Sequence, residues 1–163
     1  MDLLVLRHGE AGQRSSSVGD FKRPLTIEGK KELTEISNGL RILEIKFENI
    51  FTSPLLRAKQ TAEIVSKTLK YKGKIEELDA LKPEGNRLEL YSVLSNLKQD
   101  STVLIVGHEP YLSELVGEAI SQTGCRIDLK KGGLARITVL SALPKIRGEL
   151  RWLLTPKHLK KMA

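Results

Sequence analysis

The chain contains two short apolar runs that each end in charged or reactive groups, LLVLRHG at residues 3–9 and TVLIVGH at residues 102–108. Runs of this length that are rich in branched residues and stop abruptly at polar groups predict buried β-strands. A third run, NIFT at residues 49–52, leads directly into a serine and a proline. Polar residues therefore follow three predicted strands.

Amphipathic helices are predicted after these strands, because apolar residues recur there at spacings of three and four. Thr26 is the expected N-cap of the first helix. In the second helix, Ser53 is the expected N-cap and Pro54 the expected first residue. Pro110 is the expected first residue of the helix that follows residues 102–108. The predicted inner faces are Leu33, Ile36, Leu40 and Leu43; Ala58, Ala62, Val65 and Leu69; Leu90, Leu94 and Leu97; and Leu112, Leu115, Val116, Ala119 and Ile120.

Further strands are predicted at residues 74–79, 135–140 and 149–154, ahead of a short basic tail. Strands that alternate with amphipathic helices predict an α/β fold, a three-layer sandwich whose mainly parallel sheet carries helices on both faces. Ligands of open α/β sheets bind at the carboxyl ends of the strands, so three separate segments should meet in one crevice. Residues 10–23 lack any apolar period and predict a surface loop, serine-rich at 15–17, that borders this crevice.

Composition sets broad limits on the function. A length of 163 residues predicts one domain, 1–163, and the net charge of +7 is compatible with an anionic partner without selecting one. Aromatic residues make up only 4%, which disfavours nucleic acid, and the basic tail at 157–161 is predicted to be a solvated end. No apolar stretch predicts a signal peptide or membrane span. Cys125 is the only cysteine, so we expect no intramolecular disulfide and a reducing, cytoplasmic location. We also expect a monomer.

Three elements at the predicted strand ends could bind an anion. Arg57 lies in the first turn of a predicted helix, where a planar guanidinium and exposed N–H groups suit phosphate oxygens. His108 can donate to a phosphoryl oxygen, and Gly9 lets the backbone approach a ligand closely. Each of these residues also has an ordinary structural explanation, but their equivalent positions after three strands favour a common site.

The sequence resembles the histidine phosphatase superfamily, also called the phosphoglycerate mutase-like family, and most closely its SixA branch. The resemblance rests on residues 3–9, on RPLTIEG at 23–29, on SPLLRAKQTA at 53–62, on 106–108 and on WLLTP at 152–156. It covers nearly the whole chain.

This resemblance implies catalysis through a phosphohistidine on His8, without metal or cofactor. It further implies that the transferred phosphoryl group is bound by Arg7, Arg57 and His108. Gly9 would line the same pocket, and Arg23 would add a phosphate contact or, alternatively, serve as a surface or packing arginine.

The general acid has no clear match to the family pattern. Many members use a glutamate after the third strand, where this chain offers Glu84 and Asp79; another branch uses an acid directly after the second histidine, which points to Glu109. Glu109 could instead simply favour the helix N-terminus electrostatically. A phosphorylated imidazole leaves as neutral imidazole, whose conjugate acid has a pKa near ~6.5, so it needs the least proton donation.

A phosphohistidine-bearing protein is therefore the substrate we expect, and SixA-like dephosphorylation in signal transduction the expected role. One alternative is a phosphatase of the same family that acts on a sugar phosphate or a nucleotide precursor. A second alternative is a non-catalytic module that binds phosphoprotein.

Overall fold

The computed structural model describes residues 1–13 and 19–163 and has a six-stranded sheet at its centre. The strands are β1 (Asp2–Arg7), β2 (Asn49–Thr52), β3 (Ile75–Glu77), β4 (Thr102–Gly107), β5 (Leu134–Ser141) and β6 (Arg147–Leu154). Their order is β3-β2-β4-β1-β5-β6, with parallel pairing from β3 through β1 and antiparallel pairing of β5 with both β1 and β6. The predicted mainly parallel sheet is confirmed.

Helices cover both faces of this sheet, as predicted. They are α1 (Ile27–Ile42), α2 (Leu56–Thr68), α3 (Arg87–Ser95), α4 (Tyr111–Ile120) and α5 (Pro156–Met162). Alternate residues of β1 point to opposite faces, so Leu4 and Leu6 pack with α1, α2 and α5, while Leu3 and Val5 pack with α3 and α4. Within the described ranges, no helix is both long and apolar enough to cross a bilayer.

The beginning of α1 matches its predicted cap. The Thr26 side chain accepts a hydrogen bond from the Gly29 N–H at 2.9 Å, which satisfies one of the unpaired donors of the first turn. One neighbouring prediction needs correction, because residues 20–22, predicted to be loop, form a 3-10 turn. The serines at 15–17 lie outside the described residues.

The predicted start of α2 is wrong by two residues. Ser53 does not cap the helix; its N–H donates to the Val106 carbonyl at 2.9 Å, which keeps it extended beside β4. The helix begins at Leu56 after Leu55, and Pro54 lies before it. Pro110 likewise precedes α4 instead of being its first residue. At Ser53 the contact across the sheet holds the chain extended beyond the expected boundary, whereas Pro110 has αR backbone angles and lies directly before the first residue of α4.

The basic tail is a helix, contrary to the prediction of a solvated end. Thr155 and His158 form a reciprocal capping box at the start of α5, and Leu159 is fully buried in the sheet-facing core. Gly39 allows this docking, because a Cβ there would lie 2.1 Å from the Leu159 carbonyl oxygen. A periodic apolar stripe is too short in this segment to reveal the helix.

Candidate active site

Two buried histidines face each other at the carboxyl ends of the central strands. His8 follows β1 and His108 follows β4, and the pairing of β1 with β4 continues as the His8 N–H donates to the Gly107 carbonyl at 3.1 Å. The two ring centroids are 5.0 Å apart, and the exposed fractions are 7% for His8 and 2% for His108. The convergence predicted from the strand ends is therefore present.

The His8 ring has a defined tautomer. Its Nδ1 lies 2.7 Å from the Gly9 carbonyl oxygen, and because a carbonyl only accepts, Nδ1 carries the proton. Arg57 donates from Nε to the other ring nitrogen, Nε2, at 3.3 Å. Burial lowers the His8 pKa to about 4; the Gly9 hydrogen bond opposes this, and the charge of Arg57 adds to it. His8 is thus neutral near pH 7, with its lone pair on Nε2.

The backbone around His8 is held from two sides. The Gly9 N–H donates to Thr61 Oγ1 at 3.2 Å, and the same hydroxyl donates to the Arg57 carbonyl at 2.7 Å, which ties the strand end to α2. A Cβ on Gly9 would lie 2.5 Å from the Leu33 side chain. Only glycine lets α1 approach this closely, so Gly9 positions the loop against the core.

Arg57 lies in the first turn of α2 and is almost fully buried, with 2% exposure. Its guanidinium donates from Nη1 to the Asp20 carbonyl at 2.9 Å and from Nη2 to the Asp20 carboxylate at 3.1 Å. Arg23 contacts the second carboxylate oxygen, with 2.8 Å from Nη2 and 3.0 Å from Nε. Asp20 therefore bridges the two arginines.

The charge of Asp20 is stabilised by this bridge. Burial opposes ionisation of the carboxyl group, but the positive charges of Arg57 and Arg23 outweigh it and lower the Asp20 pKa. Arg23 also donates to the Gly12 carbonyl at 2.9 Å. The structure thus brings Arg23 to the edge of the site through Asp20, and its contact with phosphate stays a prediction.

Two buried nitrogen atoms at the site, Arg7 Nε and His108 Nδ1, have no hydrogen-bond partner in the described part of the chain. Arg7 is anchored by Nη1, which donates to the Leu129 carbonyl at 2.9 Å. His108 Nε2 lies 2.8 Å from Ser53 Oγ. Burial, followed by the neighbouring His8 and Arg57, lowers the His108 pKa to about 3. An incoming group rich in acceptor oxygens would satisfy Arg7 Nε, and also His108 Nδ1 where that nitrogen carries the proton.

The candidate acids lie in different surroundings. Glu109 directly follows His108, and its Oε1 accepts from the Ser113 N–H at 3.0 Å, at the start of α4. Asp79 pairs with Lys82 at 3.0 Å, and Glu84 is exposed. The role of Glu109 as an acid stays a prediction.

A basic groove of about 640 Å³ adjoins the site. It is lined by Arg7, Glu32, Lys130, Lys131, Thr155, Pro156, Lys157 and Lys160. Lys160 pairs with Glu32 at 2.7 Å and Lys130 with Asp128 at 2.7 Å, so part of the positive charge is compensated. No sequence pattern predicts that these lysines lie beside Arg7.

Sequence reasoning missed two polar residues of the site, Asp20 and Ser53. Asp20 lies in a segment without apolar periodicity, three residues before Arg23, which is itself a candidate phosphate ligand. Ser53 was assigned to helix capping, although its position after a strand is equivalent to that of the two histidines. Among the described residues, no three His, Cys, Asp or Glu side chains are grouped so that they could hold a metal ion.

A buried neutral histidine whose Nε2 faces Arg57, with Arg7 and a second histidine beside it, forms a group of side chains suited to an anion rich in oxygens. The family model of the histidine phosphatase superfamily (branch 1) matches residues 3–86, and the chain belongs to that superfamily. It is thus an α/β enzyme of the histidine phosphatase type.

Two relatives and one solved structure are similar to this chain over almost its full length. An uncharacterized protein of Picosynechococcus sp. strain PCC 7002 is 36% identical, covering 98% of this chain and 99% of the relative. The phosphohistidine phosphatase SixA of Escherichia coli strain K12 is 29% identical over 98% of this chain and 97% of its own length. The structure of protein histidine phosphatase SixA complexed with tungstate superposes with a TM-score of 0.86 at 28% identity, covering 98% and 99% of the two chains.

Proposed function

We propose that this protein is a phosphatase that removes phosphoryl groups from phosphohistidine on another protein, through a phosphohistidine formed on His8. The observation that carries the proposal is the His8 ring, whose Nδ1 proton is bound to the Gly9 carbonyl at 2.7 Å and whose Nε2 is left as the nucleophile. The similarity to SixA over the whole chain supports the choice of substrate.

The nucleophile needs no separate base. A histidine with a pKa of about 4 is already neutral near pH 7, so its Nε2 lone pair is available for attack. In the free protein this lone pair accepts from Arg57 Nε at 3.3 Å, a long contact that a substrate can replace at small cost. Attack then forms a phosphorus–nitrogen bond at Nε2, while the proton stays on Nδ1 and remains hydrogen-bonded to the Gly9 carbonyl.

The developing charge would be stabilised by Arg7, Arg57 and His108. A phosphoryl group in transfer spreads negative charge over its three equatorial oxygens, and preorganised donors aimed at those oxygens lower the barrier. Arg7 Nε and His108 Nδ1 are buried at the site and have no hydrogen-bond partner among the described residues, which fits this role when His108 carries its proton on Nδ1. Arg23 is proposed to make a further contact once Asp20 releases it.

The leaving group is the histidine of the partner protein. Its bond to phosphorus breaks as the new bond to His8 forms, and it departs as neutral imidazole when its remote nitrogen carries a proton. Water then attacks the phosphorylated His8, which yields inorganic phosphate and restores the Nε2 lone pair. Glu109 is the proposed proton donor for substrates with poorer leaving groups.

A protein substrate also suits the surface beside the site. The groove next to Arg7 carries Lys130, Lys131, Lys157 and Lys160 and only one carboxylate lining residue, Glu32. Such a surface would attract an acidic partner and speed its association. We propose that the protein acts on this partner as a monomer in the cytoplasm.

Trapping of the intermediate tests the proposal. The purified protein is mixed briefly with a radiolabelled phosphohistidine protein, quenched in alkali and analysed by mass spectrometry for phosphate on His8. We expect label on His8 in the wild type, none in His8→Ala, and unchanged label in the matched control His158→Ala, whose side chain is exposed.

Substrate competition decides between the proposal and its alternatives. At matched concentrations, phosphohistidine protein should be dephosphorylated faster than sugar phosphates. Faster turnover of the sugar phosphates would replace the proposed substrate with a small ester, and absence of label with retained phosphoprotein binding would indicate a binding module.

A further inference from the structure

The two ring nitrogens of His108 lie in different surroundings. Nε2 is 2.8 Å from Ser53 Oγ, whereas Nδ1 is buried and has no partner in the described part of the chain. The His108 ring lies 5.0 Å from that of His8, so its unpaired nitrogen belongs to the site. Which nitrogen carries the proton decides whether His108 can donate to a bound group.

We propose that the Ser53 hydroxyl donates its proton to His108 Nε2 and thereby holds His108 in the tautomer protonated on Nδ1. Ser53 acts on the reaction through His108 and is therefore a positioning residue. The inference rests on the proposed function only for its consequence in catalysis, because the hydrogen bond itself exists without substrate.

The hydrogen bonds of Ser53 favour this direction. Its Oγ already accepts from the Leu55 N–H at 3.3 Å, and its side chain is fully buried with 0% exposure, so water does not reach it. A hydroxyl has one proton to donate, and a buried donor without an acceptor costs about 1–3 kcal/mol. If Ser53 donates to His108 Nε2, the hydroxyl proton of Ser53 has an acceptor. If His108 donated to Ser53 instead, that hydroxyl proton would lack this acceptor.

The protonation state of His108 makes the tautomer matter. An imidazolium donates from both nitrogens, but burial and the nearby His8 and Arg57 lower the His108 pKa to about 3, so the ring is neutral. A neutral ring presents one proton and one lone pair. The hydrogen bond from Ser53 thus determines whether the His108 ring directs its proton or its lone pair toward the phosphoryl group.

The consequence for the reaction follows from the charge of the phosphoryl oxygens. With the proton on Nδ1, His108 donates to an anionic oxygen; with the proton on Nε2, it would direct a lone pair at that oxygen and repel it. Ser53 therefore makes the neutral His108 ring a hydrogen-bond donor at Nδ1. Because the ring carries no positive charge, it does not repel Arg57.

Nitrogen NMR on protein with isotope-labelled histidine tests the tautomer directly at neutral pH, with His108→Gln used to assign the signals. We expect the wild-type His108 to be protonated on Nδ1, and Ser53→Ala to shift protonation toward Nε2. Ser53→Thr, which keeps a hydroxyl, should restore the wild-type signal. A wild-type ring protonated on Nε2 would overturn the proposal without any variant.

Kinetics provides the second readout. Ser53→Ala should lower kcat about tenfold, the loss expected for one hydrogen bond in the transition state, whereas Ser37→Ala, which removes another fully buried serine hydroxyl, should leave it unchanged. An unaltered kcat and tautomer in Ser53→Ala would also refute the role of Ser53. If the wild type shows no phosphatase activity but His108 is protonated on Nδ1, the proposed function fails and the tautomer assignment stands.

Discussion

The carboxylate of Asp20 competes with phosphate for the same arginines. It lies 3.1 Å from Arg57 Nη2 and 2.8 Å from Arg23 Nη2, and a phosphoryl group that uses these donors must displace it. We therefore predict that Asp20→Asn, which keeps the shape but removes the charge, binds inorganic phosphate more tightly than the wild type.

The magnitude follows from the two contacts. A hydrogen bond to a charged group contributes about 1.5–3 kcal/mol, but the Asp20 side chain is 38% exposed, and solvent screening reduces the competing free energy to about 1–1.5 kcal/mol. The dissociation constant for phosphate should fall about tenfold.

Isothermal titration of phosphate into both proteins measures this change. Asp100→Asn is the matched control, because it removes one negative charge at an exposed position and should change the affinity little. Equal or weaker phosphate binding by Asp20→Asn would refute the competition and show instead that the carboxylate orients the arginines for the ligand.

Three further predictions concern catalysis, pH and folding. Arg57→Ala and His108→Ala should each lower kcat at least ~100-fold in a phosphatase assay while circular dichroism stays native. The folded-state pKa values of about 4 for His8 and about 3 for His108 lie below the unfolded value near 6.5, so the unfolded chain binds protons first. Stability should thus be full above pH ~6.5 and fall as the pH drops toward ~4, and a double Gln variant should flatten this dependence of Tm. Gly39→Ala should lower the free energy of unfolding by about 1–3 kcal/mol in urea titrations, because its Cβ meets the Leu159 carbonyl at 2.1 Å, whereas Gly19→Ala has open space.

The main elements could be predicted because their causes are local. Alternating apolar runs and helical stripes are properties of neighbouring residues, and the carboxyl ends of parallel strands necessarily meet at one edge of the sheet. His8 and His108 therefore came together as expected. The boundaries that failed depend on distant partners. Ser53 stays extended because its N–H bonds to Val106, and the docking of α5 depends on a glycine in α1 over a hundred residues earlier.

Asp20 illustrates the same limit within the site. Neither periodicity nor strand position identifies it, since its role comes from the contacts of the 3-10 turn at 20–22 with Arg57 of α2. The sequence signal that was available is its spacing of three residues from Arg23, which suits an ion pair across one turn of 3-10 helix. Such a spacing is common on protein surfaces and acquires meaning only when the buried Arg57 is added from another element.

The proposed mechanism places charge and nucleophilicity on different residue types. Arginine stays protonated at every accessible pH, so the attraction for phosphate does not depend on the histidines. A bound dianion, however, raises the pKa of a neighbouring histidine and favours a proton on the nucleophilic nitrogen. Before substrate binds, Arg57 Nε counteracts protonation of the nucleophile, because it donates to the same His8 Nε2 lone pair that a proton would occupy. The arginine that attracts the phosphoryl group therefore also keeps the nucleophile unprotonated until the substrate replaces it.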